Sequence, residues 1–178
     1  QNDLSTAGDI EIDIAGDIIL DNDLENISFD NGNQIQSQVE EGAVGNAGNI
    51  TINTGGSLFS FNSNQILNGS QGNGNGGNIQ IIARDSIEMR DESLVFSNTS
   101  EQGIGDTGSI FISANNTFVL DESQVLSQIL DEARGNPGGI DIIANTIDIN
   151  NFSISYFFLD KILDPHEESM QKIKAVSS

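Results

Sequence analysis

The sequence predicts an all-β solenoid, a single-stranded parallel β-helix of about five coils with a short C-terminal helical or irregular cap. Three observations predict it. Five segments superimpose with isoleucine at both strand positions: Ile10/Ile12, Ile50/Ile52, Ile79/Ile81, Ile110/Ile112 and Ile140/Ile142. The residue two places before each pair is Gly8, Gly48, Gly77, Gly108 and Gly138, at spacings of 40, 29, 31 and 30 residues, a period that marks stacked repeats. Finally, 19 glycines against 2 prolines, among many Asn, Ser and Thr, suit a chain of tight corners, because Gly and Asn tolerate positive φ.

Within each unit the lead strand is the isoleucine pair, whose members share one side of the strand while Asn49 and Thr51, for example, face the other. A second strand follows at Ile18, Leu58, Ile87, Phe118 and Ile147, continued by Leu20, Met89, Leu120 and Ile149 and interrupted by Ser60. A third apolar cluster lies at Ile27 and Phe29, Ile66 and Leu67, Leu94 and Phe96, and Val125 and Leu126. Three short strands per repeat, separated by Gly, Asn, Asp and Ser, describe a coil with three sides. Stacked in register about 4.8 Å apart, isoleucine lies over isoleucine, and no unit buries its apolar face alone. Disorder, the reading that polarity and charge would otherwise suggest, does not preserve isoleucine at every lead position.

About thirty residues per coil exceed what a tight three-sided section needs. The surplus is expected to bulge before each lead strand, at Gly69 to Asn75, Asn98 to Asp106 and Leu130 to Pro137. In the longer first unit it is expected around Asp21 to Asn33. The repeats are assigned to residues 1–155 and a cap to residues 156–178. In that tail, Tyr156-Phe157-Phe158-Leu159 is densely apolar, and Asp164-Pro165 followed by Glu167 and Glu168 has the signature of a helix start. Met170, Lys172, Ile173 and Lys174 complete a short amphipathic helix that would cover the last coil's open edge.

The formal net charge is −21. Such acidity argues against nucleic acid as a partner, since phosphate neutralisation needs Lys and Arg, and against anionic membrane surfaces. Its simplest role is to keep the surface solvated. No apolar run is long enough to insert in a bilayer. The absence of cysteine is compatible with export. A start at Gln1, without methionine, reads as a processed or excised piece.

Chemistry is sparsely written. The single histidine, His166, has Met170 where a zinc-protease helix places its second histidine, and no serine sits in a Gly-x-Ser-x-Gly elbow. Asp91-Glu92-Ser93 and Asp121-Glu122-Ser123 share one phase of adjacent repeats, with Asp131-Glu132 on a later loop. Stacking would bring Asp91 near Asp121 and Glu92 near Glu122, where like charges repel unless water, a proton or a cation intervenes. Solvated corner residues are the plain reading. A weak calcium site is the second, and paired carboxylates cleaving a glycosidic bond the third. Against catalysis stands the scarcity of cations, Arg84, Arg90 and Arg134 being the only ones before the tail.

No catalytic, cofactor-binding or metal-binding residue is therefore assigned, and no cofactor beyond the weak calcium possibility. The run from Gly72 to Asn78 lacks both the Asp of a calcium nonapeptide and the Lys of a phosphate loop, and reads as a flexible corner. Asn49 and Asn78, with Asp9 and Ser109 at the same phase, are placed to form a hydrogen-bond ladder between coils. Asn68-Gly69-Ser70 and Asn115-Asn116-Thr117 match the glycosylation triplet, as an Asn- and Ser-rich chain does by chance.

The recurring Gly-Asn-Ile-x-Ile, then Ser-Leu or Ser-Ile, then Gln-Ile or Gln-Val resembles the repeats of filamentous-haemagglutinin-like exoproteins of the two-partner secretion type, especially cyanobacterial forms. The residues carrying it are Gly48 to Ile52, Ser57-Leu58, Gln65-Ile66, Gly77 to Ile81, Ser86-Ile87, Gly108 to Ile112 and Gln124-Val125, over roughly residues 7 to 150. The resemblance implies a right-handed β-helix. It also implies export of the parent protein through an outer-membrane transporter, of which this chain would be a C-terminal or internal piece, and a location outside the cell or on its surface. The implied role is that of a non-enzymatic structural or adhesive module that presents loops to an extracellular carbohydrate or cell-surface ligand. A polysaccharide lyase or glycosidase on the same scaffold is the alternative, since fold alone does not fix activity.

Overall fold

The structure is a computed structural model that describes residues 6–22, 33–99, 103–130 and 132–150, together with the strands 153–158 and 173–176 as backbone. Its strands follow in triplets. The first coil holds β1 (Ile10–Ile14), β2 (Ile18–Asp21) and β3 (Gln34–Val39), and the second β4 (Ile50–Thr54), β5 (Leu58–Phe61) and β6 (Gln65–Ser70). The third holds β7 (Ile79–Ala83), β8 (Ile87–Met89) and β9 (Leu94–Thr99), and the fourth β10 (Ile110–Ala114), β11 (Thr117–Asp121) and β12 (Gln124–Ile129). β13 (Ile140–Ile143), β14 (Thr146–Asn150) and β15 (Ser153–Phe158) make the fifth, and β16 (Ile173–Val176) follows.

Every pairing is parallel and joins equivalent strands of neighbouring coils. Sheet A runs β1-β4-β7-β10-β13-β16, sheet B β2-β5-β8-β11-β14 and sheet C β3-β6-β9-β12-β15. The chain is thus a three-sided parallel β-solenoid, with no helix among the described residues.

The register is the one the isoleucine pairs dictate: Ile10↔Ile50↔Ile79↔Ile110↔Ile140 and Ile12↔Ile52↔Ile81↔Ile112↔Ile142. A one-residue slip would turn each pair outward, so burial fixes the pairing. Eight of these side chains, from Ile50 to Ile142, are buried and pack with Leu58, Ile87, Phe118, Leu120, Val95 and Val125 in one continuous core. The first coil's Ile10, Ile12, Ile18, Leu20 and Ile35 are only partly buried, as are Ile147 and Ile149 in the last.

The repeat glycines have a steric cause. A Cβ on Gly48, Gly77, Gly108 or Gly138 would fall inside contact distance of the backbone carbonyl of the glycine one coil earlier. Only glycine lets the coils approach that closely.

Several expectations are corrected. In the first unit, Gln34–Val39 rather than Ile27 and Phe29 supplies the third side, since Ile35 pairs with Ile66. Residues 27 and 29 lie outside the described residues. The longer connection does fall between Asp21 and Gln34, where it was expected. In the third unit Val95 fills the core, while Leu94 and Phe96 alternate outward and are only half-buried. Ser60 keeps its place in the core column by donating to Ser93 Oγ at 3.0 Å.

The described parts of the segments expected to bulge are tied to one another. Val44, Asn73, Ile104 and Arg134 form a parallel series of bridges, and Gly45 N–H donates to Asn73 O, as Gly74 N–H does to Ile104 O and Gly105 N–H to Arg134 O. Backbone bonding to the next coil gives the surplus chain a ladder of its own, so Gly72 to Asn78 is a bonded corner rather than a flexible one.

The boundary at 155/156 falls within β15, which continues sheet C through Ser127↔Tyr156 and Ile129↔Phe158. Ile173 and Lys174, expected in a helix, lie in β16, which adds a sixth rung to sheet A through Ile140↔Ile173 and Ile142↔Ala175. An open parallel edge is met by another strand, which satisfies its backbone groups as a packed helix would not. The helix start at Asp164-Pro165, with Met170 and Lys172, lies outside the described residues.

Candidate functional site

The exposed surface is organised by ladders. Asn49 N–H donates to Asp9 Oδ1 at 2.7 Å, Asn78 N–H to Asn49 Oδ1 at 3.0 Å and Ser109 N–H to Asn78 Oδ1 at 2.9 Å, forming the ladder the sequence predicts. A second ladder, missed in the sequence, runs three residues earlier: Asn75 N–H donates to Asn46 Oδ1, Asp106 N–H to Asn75 Oδ1 and Asn136 N–H to Asp106 Oδ1, at 2.8–2.9 Å. Its signal was available, because Asn46, Asn75, Asp106 and Asn136 each stand two residues before a repeat glycine.

The acidic corners separate on inspection. The turn from sheet B to sheet C places Asn62, Ser63, Asp91, Glu92 and Glu122 at φ of 48–63°, so two left-handed residues make this corner in the second and third coils and Glu122 alone makes it in the fourth. Ser93 N–H bonds Ser123 Oγ and Glu92 N–H bonds Glu122 O, so Glu92 does stack on Glu122 through the backbone. The one-residue difference carries Asp91 out of phase with Asp121, which meets Arg90 instead. Arg90 Nη1 donates to Asp121 Oδ2 at 3.0 Å and Nε to Glu88 Oε2 at 3.2 Å. Asp91, Glu92 and Glu122 are exposed, as the solvated-corner reading requires. Among the described residues, no group of three or more His, Cys, Asp or Glu side chains is placed to hold a metal ion. Glu132 is exposed, while Asp131 and His166 lie outside the described residues.

Two surface features bring chemically varied side chains together. A groove of about 490 Å³ at the corner between sheets A and B is lined by Asp13, Ile14, Asn53, Ile82, Arg84 and Asn115, among others. Its lining includes one carboxylate and one guanidinium, fewer than the carboxylate pair that glycoside cleavage uses. The second feature is the outward face of sheet B. Register stacks Ile19, Phe59, Glu88 and the buried Val119 in one column. Asp21 pairs with Phe61, and Arg90 N–H bonds Ser60 O in the coil above. The Phe59 and Phe61 rings lie 6.1 Å apart, inclined by 25°. This face therefore joins an aromatic pair to the Glu88–Arg90–Asp121 cluster. Sequence inspection singled out Arg90 and Asp121 but not Phe59 and Phe61, whose outward phase follows from Leu58 and Ser60 pointing in.

The glycosylation triplets diverge. Asn68 is fully buried, its Nδ2 donating to Gly48 O at 2.8 Å and its Oδ1 accepting from Gly77 N–H at 2.8 Å, so it is closed to modification in the folded chain. Asn115 is exposed at the rim of the groove.

Fold and surface define a β-solenoid with backbone-bonded polar ladders. No family model matches the chain, and neither a curated protein nor a solved structure matches it. No helix among the described residues is long and apolar enough to cross a membrane.

Proposed function

We propose that this solenoid is a non-enzymatic structural and adhesive module of a secreted or surface-displayed protein of the filamentous-haemagglutinin-like kind. Its parent would pass through an outer-membrane transporter, and its outer surface would contact extracellular carbohydrate or a cell surface. The observation that supports this reading is repetition on the exposed side: residues of one phase make the same bond in coil after coil, from Asp9 to Ser109 and from Asn46 to Asn136. Such a surface stiffens a rod and presents similar chemistry at regular intervals.

A second reading draws on one observation, the convergence of Glu88 and Asp121 on Arg90. Two carboxylates and a cation are the parts a carbohydrate-active enzyme needs, although here each carboxylate is committed to the guanidinium. Incubating the purified chain with immobilised polysaccharides and cell surfaces, and measuring retention together with released reducing ends, separates the two. Retention without release is expected. Release of reducing ends that Glu88→Gln or Asp121→Asn abolishes would overturn the adhesive reading in favour of the enzyme.

A further inference from the structure

We propose that the outward face of sheet B is a binding platform for a neutral polysaccharide, with Phe59 and Phe61 stacking on sugar rings and the Glu88–Arg90–Asp121 cluster bonding their hydroxyls. The inference rests on the adhesive reading and gives it a place on the surface and a class of ligand.

Alternation along β5 places Leu58 and Ser60 in the core and Phe59 and Phe61 outside. Both phenylalanines are partly exposed, and neither belongs to the core cluster. Beside them on β2, Ile19 is 66% exposed. This apolar strip lies on a rod of net charge −21, where an outward aromatic pair contributes less to folding than the same rings would inside.

The neighbouring polar cluster is ordered but unsaturated. Arg90 uses two donors on Glu88 and Asp121, leaving others of the five in a guanidinium, while each carboxylate retains acceptor capacity. All three side chains remain about a third exposed, at 37%, 30% and 32% for Arg90, Glu88 and Asp121. Mutual pairing holds these groups beside the rings before any ligand arrives, which lowers the ordering cost of binding.

A pyranose presents an apolar C–H face and a belt of hydroxyls that both donate and accept. An aromatic surface bordered by carboxylates and a guanidinium matches both parts. Charge narrows the class further: a polyanionic glycan meets a field of its own sign, and a basic peptide, drawn to the single negative charge that one guanidinium leaves on two carboxylates, would use the cluster but has no flat C–H face to lay on the two rings. A neutral glycan meets no repulsion and engages the rings and the polar cluster together.

The test is affinity electrophoresis of the full chain through hydroxyethyl cellulose, dextran, mannan and arabinoxylan, followed by titration with the retarding polymer and with oligolysine. Retardation by at least one neutral polymer, little changed by salt, is expected. Phe59→Ala and Phe61→Ala should each weaken it by about three- to tenfold while the β-sheet circular dichroism spectrum is retained. Phe59→Leu, which keeps apolar bulk without an aromatic face, guards against loss of fold and should weaken binding similarly. Retardation by none of the four polymers overturns the proposal. Glycan binding that survives all three substitutions also overturns it while leaving the adhesive reading intact, and absence of any surface retention removes both. Tighter binding of oligolysine through the same phenylalanines would replace the glycan with a basic partner.

Discussion

The inner faces of sheets A and C are equally buried but chemically different. Sheet A stacks two columns of isoleucine, closed by Thr54, Ala83 and Ala114. Sheet C stacks Ile35, Ile66, Val95 and Val125 in one column and Ser37, Asn68, Ser97 and Ser127 in the next. Isoleucine columns are sufficient in themselves, because dispersion and exclusion of water make no directional demand. The polar column requires partners, and most of its members find them in the turn that leads into sheet A. Ser37 Oγ accepts from Gly48 N–H at 3.0 Å, and Asn68 bridges Gly48 O and Gly77 N–H. Ser127 Oγ lies 2.7 Å from Thr107 Oγ1, which accepts from Gly138 N–H. Sheet A is held by burial, while sheet C fastens the corners at Gly48, Gly77 and Gly138, Ser97 Oγ being buried without a partner.

This contrast is tested most strongly by removing bulk from sheet A. Ile112 is fully buried between Ile81 and Ile142. Ile112→Ala should destabilise the fold by about 2 to 5 kcal/mol, combining lost transfer energy with a cavity that stacked neighbours cannot collapse to fill. Urea denaturation followed by circular dichroism measures it. A loss below about 1 kcal/mol would mean that the column is not the principal support of the coil.

Asn68→Ala tests the other face. It removes little apolar area but leaves Gly77 N–H and Gly48 O without their side-chain partner in a buried place. Each orphaned group costs about 1 to 3 kcal/mol where water does not reach it. The two groups together bring the expected total to about 2 to 6 kcal/mol, in the range of Ile112→Ala, and what distinguishes it is loss of amide protection at Gly77 preceding global unfolding in hydrogen exchange. Protection lost uniformly across all three sheets would instead place this polar column on the same footing as the isoleucines.

What was legible in the sequence follows the same division. Period-two isoleucine with a preceding glycine announces sheet A, because both requirements recur at the same phase of every coil. Sheet C was read one residue out of phase at Leu94 and Phe96, since apolar residues there occur consecutively and burial rather than composition selects Val95. In the first coil, hydrophobicity alone assigns Ile27 and Phe29 to the third side, whereas pairing with Ile66 gives that place to Ile35. The tail was read as a cap with a helix because its local signals are helical, whereas Ile173–Val176 pairs across the chain with Ile140–Ile143. The Glu88–Arg90–Asp121 cluster depends on a one-residue shortening of a corner, and the Phe59–Phe61 pair on strand phase, neither of which composition expresses.

The smallest expected effect separates buried from exposed ladders. Asn78 Oδ1 accepts from Ser109 N–H at 2.9 Å as Asn68 Oδ1 does from Gly77 N–H, yet Asn78 is exposed and Asn68 is not. Water can replace the lost acceptor at Ser109, so Asn78→Ala should cost no more than about 0.5 kcal/mol. Asn78 N–H would still donate to Asn49 Oδ1, so the ladder is interrupted at one rung rather than dismantled. Amide exchange should accelerate at Ser109 while Ile110 N–H, bonded to Gly139 O rather than to a ladder side chain, keeps its protection. A melting temperature lowered as far as by Asn68→Ala would mean that the exposed ladder carries the fold, leaving its side chains little freedom to meet a ligand.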